Sequence, residues 1–196
     1  EEGQSSYFWT IPGTAGTDYS ITAGGIGTGD HTVTLEWLTN GIKTVAVNYQ
    51  DSNGCTGIDP ASNTIELDPL PVPSFTAKPS NPVCIGDVVI YTTQAGYSNY
   101  IWTVPGTAGT DYNITAGSIG TSSHTVTIEW LSDGTKTVTV NYQDANGCIG
   151  VTPASNTINL DPLPVPTFTS QPSNPVCINS EVTYSTQAGF SNYIWT

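Results

Sequence analysis

Arginine is absent from the 196 residues and lysine occurs only three times, against sixteen acidic residues and a net charge of −13. Nucleic acid phosphates and an anionic bilayer would find almost nothing here to neutralise them, so neither is expected as a partner. An acidic, sparsely charged surface suits a soluble, exposed protein or one that collects cations. No apolar stretch approaches the roughly 18 residues that a membrane-spanning helix needs, so no membrane insertion is expected. Histidine occurs twice, as His31 and His124, and no nucleophile, base and orienting group stand with them at a recognisable spacing. Their place at the start of equivalent strands predicts a hydrogen-bonding role there. Gly106 to Thr110 reads GTAGT, without the lysine and helix of a phosphate-binding loop. Twenty glycines would allow disorder, but the aromatic residues and β-branched runs supply material for a core.

What the sequence has in abundance is itself. Tyr7-Phe8-Trp9-Thr10 returns as Tyr100-Ile101-Trp102-Thr103 and as Tyr193-Ile194-Trp195-Thr196, so the step from Trp9 to Trp102 and from Trp102 to Trp195 is 93 residues. About three-quarters of positions match between the two fuller copies, which makes the chain a tandem array. A period of 93 is too long for a solenoid unit and close to one immunoglobulin-like sandwich. Prolines crowd Leu67-Asp68-Pro69-Leu70-Pro71-Val72-Pro73 and its copy Leu160 to Pro166. They predict stiff, extended spacers between domains, and hence successive domains in a near-linear row. The expected organisation is the later part of one repeat at 1–70, a complete repeat at 71–164 and the opening of a third at 165–196. The chain thus starts and stops within a repeat, as a segment of a longer repetitive polypeptide would.

Differences between copies reveal which strand face is buried. Val88 and Ile90 become Glu181 and Thr183, whereas Val89 and Tyr91 become Val182 and Tyr184. The second pair should face inward, by period-two alternation. The same alternation assigns Tyr100, Trp102 and Val104, then Val126, Ile128 and Trp130, then Val138, Val140 and Tyr142 to inner faces. Tyr91, Trp102, Trp130, Val138 and Val140 are the predicted core. Trp102 and Trp130 could also be sugar-stacking platforms, but their alternation partners are apolar. Tyr112, in a loop rich in glycine and threonine, is the better candidate for an exposed aromatic. Glu129 should project into solvent beside inward Trp130. Asp133-Gly134, like Asn40-Gly41, predicts a hairpin between the strands on either side, and a last strand is expected within Val151 to Leu160. About seven short strands without helical periodicity predict an all-β fold of tandem immunoglobulin-like antiparallel sandwiches.

The stretch PVCIGDVVIYTTQAGYSNYIWTVPG, followed by GTKTVTVNYQDANGC, resembles the PKD-like, immunoglobulin-related repeats of secreted Bacteroidota surface proteins. The DANGC ending also resembles the repeats of giant gliding-motility adhesins. Where the PKD strand motif is Trp-Asp-Phe-Gly-Asp-Gly, this chain has Trp102-Thr103-Val104-Pro105-Gly106. The resemblance implies a fold and a cell-surface, extracellular setting reached by type IX secretion, rather than an activity.

Each full period carries two cysteines, Cys84 and Cys148 in the complete repeat, with Cys55 and Cys177 in its neighbours. No second thiol lies within a few residues of any of them, as a zinc site would require. Disulfides in an oxidising setting fit better. Cys84 with Cys148 inside one repeat would close a loop of about 65 residues and contribute about 4 kcal/mol on the chain-entropy estimate. In an immunoglobulin-type strand order, however, these two lie at opposite ends of the sandwich, and a disulfide needs Cα atoms within about 7 Å. The alternative is a clamp across the junction, from the lower cysteine of one repeat to the upper cysteine of the next. Both schemes are open on the sequence.

Calcium is the one cofactor for which there is a candidate set. Asp18, Asp51 and Asp68 recur as Asp111, Asp144 and Asp161 near loops, and hard carboxylate oxygens suit that ion. No EF-hand or RTX spacing accompanies them, and Asp144 also fits as the cap of the Asn146-Gly147 turn. Asn113-Ile114-Thr115 fits a glycosylation sequon. The expected function is a non-catalytic structural segment of a long extracellular adhesin or surface filament. Its partners would be neighbouring repeats of the same polypeptide, other copies in a filament, or surface glycans. The alternative is a carbohydrate-binding or spacer module of a secreted multidomain enzyme.

Overall fold

A computed structural model describes residues 4–196. By contacts the chain divides into two compact units. One runs to Pro73 and includes Gly96–Asn99 and Asn141–Pro153; the other comprises Ser74–Ala95, Tyr100–Val140 and Ala154–Thr196.

In the first, β1 (Ser5–Thr10), β4 (Gly41–Gln50) and β5 (Ala61–Leu67) form an antiparallel sheet in the order β1-β4-β5. Strands β2 (Tyr19–Gly24) and β3 (Val33–Trp37) pair as a separate hairpin.

The chain from 74 onward supplies β6 (Phe75–Ala77), β7 (Val83–Cys84), β8 (Val88–Thr93), β9 (Ser98–Thr103), β10 (Tyr112–Gly117), β11 (Thr125–Trp130), β12 (Gly134–Gln143) and β13 (Ala154–Asp161). They make two four-stranded sheets, β10-β11-β8-β6 and β7-β13-β12-β9. The opening strand is split: β6 runs antiparallel to β8 in one sheet, then β7 joins the other in parallel with β13. The Asn81–Pro82 peptide between them is cis. This is an immunoglobulin-like, all-β sandwich. Beyond it, β14 (Phe168–Ser170) pairs with β15 (Ser185–Thr186).

Alternation builds the core. On β11, Val126, Ile128 and Trp130 are wholly buried while the residues between them are not. On β12, Val138, Val140 and Tyr142 are likewise sealed, and Ile158 and Leu160 of the neighbouring strand β13 are buried too. On β8, Tyr91 is buried while Val88 and Ile90 are exposed. Trp102 is buried, and its indole Nε1 donates to the Ser123 carbonyl at 2.8 Å.

Two expectations are corrected. The strands flanking Asp133-Gly134 do not form a hairpin, because β11 and β12 lie in different sheets. Gly134 does take the positive φ (92°) that a tight turn needs, but the turn carries the chain across the sandwich. Tyr112 is not exposed: it is 5% accessible and meets Trp130 edge-on, ring centroids 6.0 Å apart. It opens β10 directly opposite Trp130 in the β10–β11 register, so the pleat turns it inward.

The core also holds polar atoms that nothing satisfies. Tyr91 Oη, Trp130 Nε1 and Asn156 Nδ2 are buried without a hydrogen-bond partner. Burial pushes the Tyr91 hydroxyl up to about 12; Asn156 and Trp130 are near enough to temper this, though neither meets hydrogen-bond geometry. Because the fold favours the neutral phenol, its stabilising effect is complete below about pH 10 and is lost as the pH climbs through about 12. Tyr91→Phe removes an unpaired buried hydroxyl and should leave stability unchanged or raise it by up to about 1 kcal/mol. It should also flatten the decline between pH 10 and 12 in urea melts of the chain relative to the parent. A loss above about 1 kcal/mol would mean that the hydroxyl is bonded.

Candidate functional site: the junction face

The residues that opened the question of chemistry turn out to organise loops. Asp144 closes the turn in Gln143-Asp144-Ala145-Asn146-Gly147-Cys148: its Oδ1 accepts the amides of Asn146 and Cys148, each at 2.9 Å, and its own amide donates to the Cys148 carbonyl at 3.0 Å. Asp51 holds Asn53 and Cys55 in the same way, and those amides, Cys55's foremost, keep its carboxyl below the usual range. Asp111 accepts from Ser132 Oγ at 2.7 Å and from the Thr107 amide at 2.8 Å, with Lys136 Nζ 3.8 Å away. These, the Ser132 hydroxyl first, hold its carboxyl low. Asp18 repeats the arrangement with Thr14 and Thr39 and is also lowered. Asp161 pairs with Cys84 in the β13–β7 ladder. Among the described residues no three of His, Cys, Asp or Glu come together as metal ligands.

His124 serves through its backbone, whose carbonyl accepts the Thr93 amide at 2.9 Å, while its ring lies 6.3 Å from that of Tyr100. Glu129 takes a cross-strand bond from exposed Asn113 Nδ2 at 3.2 Å. All four cysteines are free thiols.

One constellation does gather residues distant in sequence, and it lies within the first unit. The proline-rich segment after β5 rests on the end of β12 and the loop that follows it, residues 141–150. Tyr142 Oη donates to the Val72 carbonyl at 3.2 Å. Asn146 Nδ2 donates to the Asp68 carboxylate. Gly150 is buried because Pro73 lies on it: a methyl group there would sit 2.7 Å from Pro73 Cδ and 2.8 Å from Asn141 Oδ1. Pro71 is buried as well.

The seat is built from β12 outward. Asn141 is on the opposite face from Val140 and Tyr142, yet it is only 8% accessible. Its Nδ2 donates to the Gly150 carbonyl at 2.8 Å, and its Oδ1 accepts the Tyr142 amide at 2.8 Å, so both ends of the buried amide are satisfied, as burial demands. The Tyr142 ring stacks on Tyr97 with centroids 4.1 Å apart. Ser98 Oγ and Asn99 Nδ2 tie the start of β9 to Gln143. In the earlier copy, Asn48 makes the same two bonds, to Gly57 and Tyr49. There Gln4 stands in the place of Tyr97, and Gly57 is exposed where Gly150 is buried. The local frame thus recurs in both copies, and in the later one the proline segment seals it.

Cys148 lies at the edge of this seat, half-buried. Burial pushes its thiol up, and the carboxylates of Asp144 and Asp68 add to this. Cys84 is at the last ladder position of β13, whereas Cys148 is in the loop that leads into that strand.

No family model and no curated relative matches the sequence. Among solved structures, the D00-D0 domain of intimin is similar at 14% identity and a TM-score of 0.38, over 82% of this chain and 87% of that one. Protocadherin gammaB7 EC3-6 gives 14% and 0.36 over 92% and 48%. FdeC, an Escherichia coli adhesin, gives 17% and 0.32 over 94% and 63%. The fold assignment rests on the strand order and register described above.

Proposed function

We propose that the chain is a non-catalytic structural segment of a long extracellular adhesin or cell-surface filament, of the kind carried by secreted Bacteroidota surface proteins. Its working units would be the repeats at 1–70, 71–164 and 165–196. The observation that carries this reading is the junction seat. A chain whose repeats merely spaced out other domains could use any flexible linker. Here Asp68, Val72 and Pro73 are each engaged by Asn146, Tyr142 or Gly150. Seating the linker removes the freedom that a hinge would need, which suits a protein that carries load along its length.

The carbohydrate-binding alternative loses its best residue, since Tyr112 is core. Two measurements test the proposal. Antibody against 71–164 should label intact, unpermeabilised cells of the source organism, and the 196-residue chain should bind no glycan on an array at micromolar concentration. Labelling only after permeabilisation would reject the surface role. Saturable glycan binding would favour the module reading.

A further inference from the structure

The cysteines have an address that emerges when the two copies of the linker are compared. Cys84 is the last residue of β7 and pairs with Asp161 at the end of β13. Adjacent strands stand about 4.8 Å apart, so the Cys84 position of a repeat lies beside the aspartate that opens the linker to the next. That aspartate in the preceding copy is Asp68, since Leu67-Asp68-Pro69-Leu70-Pro71 and Leu160-Asp161-Pro162-Leu163-Pro164 are identical. Asp68 in turn holds Asn146, two residues before Cys148 in the same Asp144-capped turn. The same aspartate position thus neighbours the lower cysteine of its own repeat and the upper cysteine of the following repeat.

We propose that in a tandem run of this repeat the cysteine at the Cys84 position of each repeat forms a disulfide with the cysteine at the Cys148 position of the repeat that follows. The staple spans every junction and closes over the seated linker. The two positions of such a staple lie 157 residues apart, a spacing that no two of Cys55, Cys84, Cys148 and Cys177 have, and all four are free thiols. Forming the bond takes one proton and one electron from each thiol. A disulfide-bearing oxidant accepts both electrons and both protons and becomes a dithiol. The inference rests on the proposed function only for the oxidising surroundings that keep such a bond in place.

The test supplies the missing cysteine. The chain is extended by placing a copy of its own Ser74–Thr93 directly before Glu1, which restores the opening strands of the first repeat, and is oxidised in a glutathione buffer. Peptic peptides are then mapped without reduction. The expected result is the added cysteine joined to Cys148 in most molecules, with Cys55, Cys84 and Cys177 still open to alkylation. The added cysteine joined to Cys55, or Cys84 joined to Cys148, would overturn the staple in favour of a bridge inside each repeat. A second variant needs no extension: Asp68→Cys in the 196-residue chain should bond to Cys148 under the same conditions. Absence of both bonds would also overturn the proposal. Because the oxidant is added, these outcomes bear on the staple alone and leave the surface role to be judged by cell labelling.

Discussion

Trp130→Ala should cost about 3–5 kcal/mol in urea denaturation followed by circular dichroism, the range for removing a large aromatic from a packed core. Trp130 is wholly buried and ends β11. Its ring takes the edge of Tyr112, and its carbonyl accepts the Gly86 amide at 2.8 Å. Alanine keeps that backbone bond but leaves a void under Tyr112 that the two four-stranded sheets cannot collapse to fill. The indole nitrogen, unpaired in the parent, returns a little of this on removal, so the lower half of the range is the better expectation. A change under 1 kcal/mol would mean that the inner face of β11 has been misassigned.

Gly117→Ala should destabilise by about 2 kcal/mol or more. Gly117 ends β10 at a φ of 67°, and the left-handed region alone costs a residue with a Cβ about 1–2 kcal/mol. Space is the larger obstacle, for the added methyl would press into the Thr125 backbone carbonyl on the paired strand. The β10–β11 register slips by one between Ile114 and Ala116, and the glycine lets the bulged strand close again on its partner. Gly24 repeats the φ and the close approach against Thr32. Gly16→Ala, with positive φ but open space around it, is the control: it should lose only the conformational part. Equal losses at 117 and 16 would show that crowding contributes nothing.

The fold was legible because the sequence repeats. Val88 and Ile90 changing to Glu181 and Thr183 marked the outer face of β8 without any coordinates, and strict alternation placed Trp130, Val138 and Val140 inside. What failed was local chemistry asked to report tertiary connection. Asp133-Gly134 encodes a turn, but whether the flanking strands then pair depends on which sheet each joins. Tyr112 looked like a loop residue because polar neighbours flank it, and only the register opposite Trp130 turns it inward.

The junction seat was harder to read. It links Asp68 to Asn146 and Val72 to Tyr142, pairs 78 and 70 residues apart, and no local pattern carries that distance. Asn141 and Gly150 stand unchanged as Asn48 and Gly57, but eight of the ten residues of β12 match β4 as well, so identity between the copies does not single the pair out.

The most direct test of the seated linker is oxidative footprinting of Tyr142, which is wholly buried. Replacing Pro71, Val72 and Pro73 by Gly, Ser and Gly should expose Tyr142 to hydroxyl radicals while Tyr91 stays protected. The same exchange at Pro164, Val165 and Pro166, of identical composition, should leave Tyr142 protected. If Tyr142 stays protected after the exchange at 71–73, or becomes equally reactive after either exchange, the linker is not seated on this face.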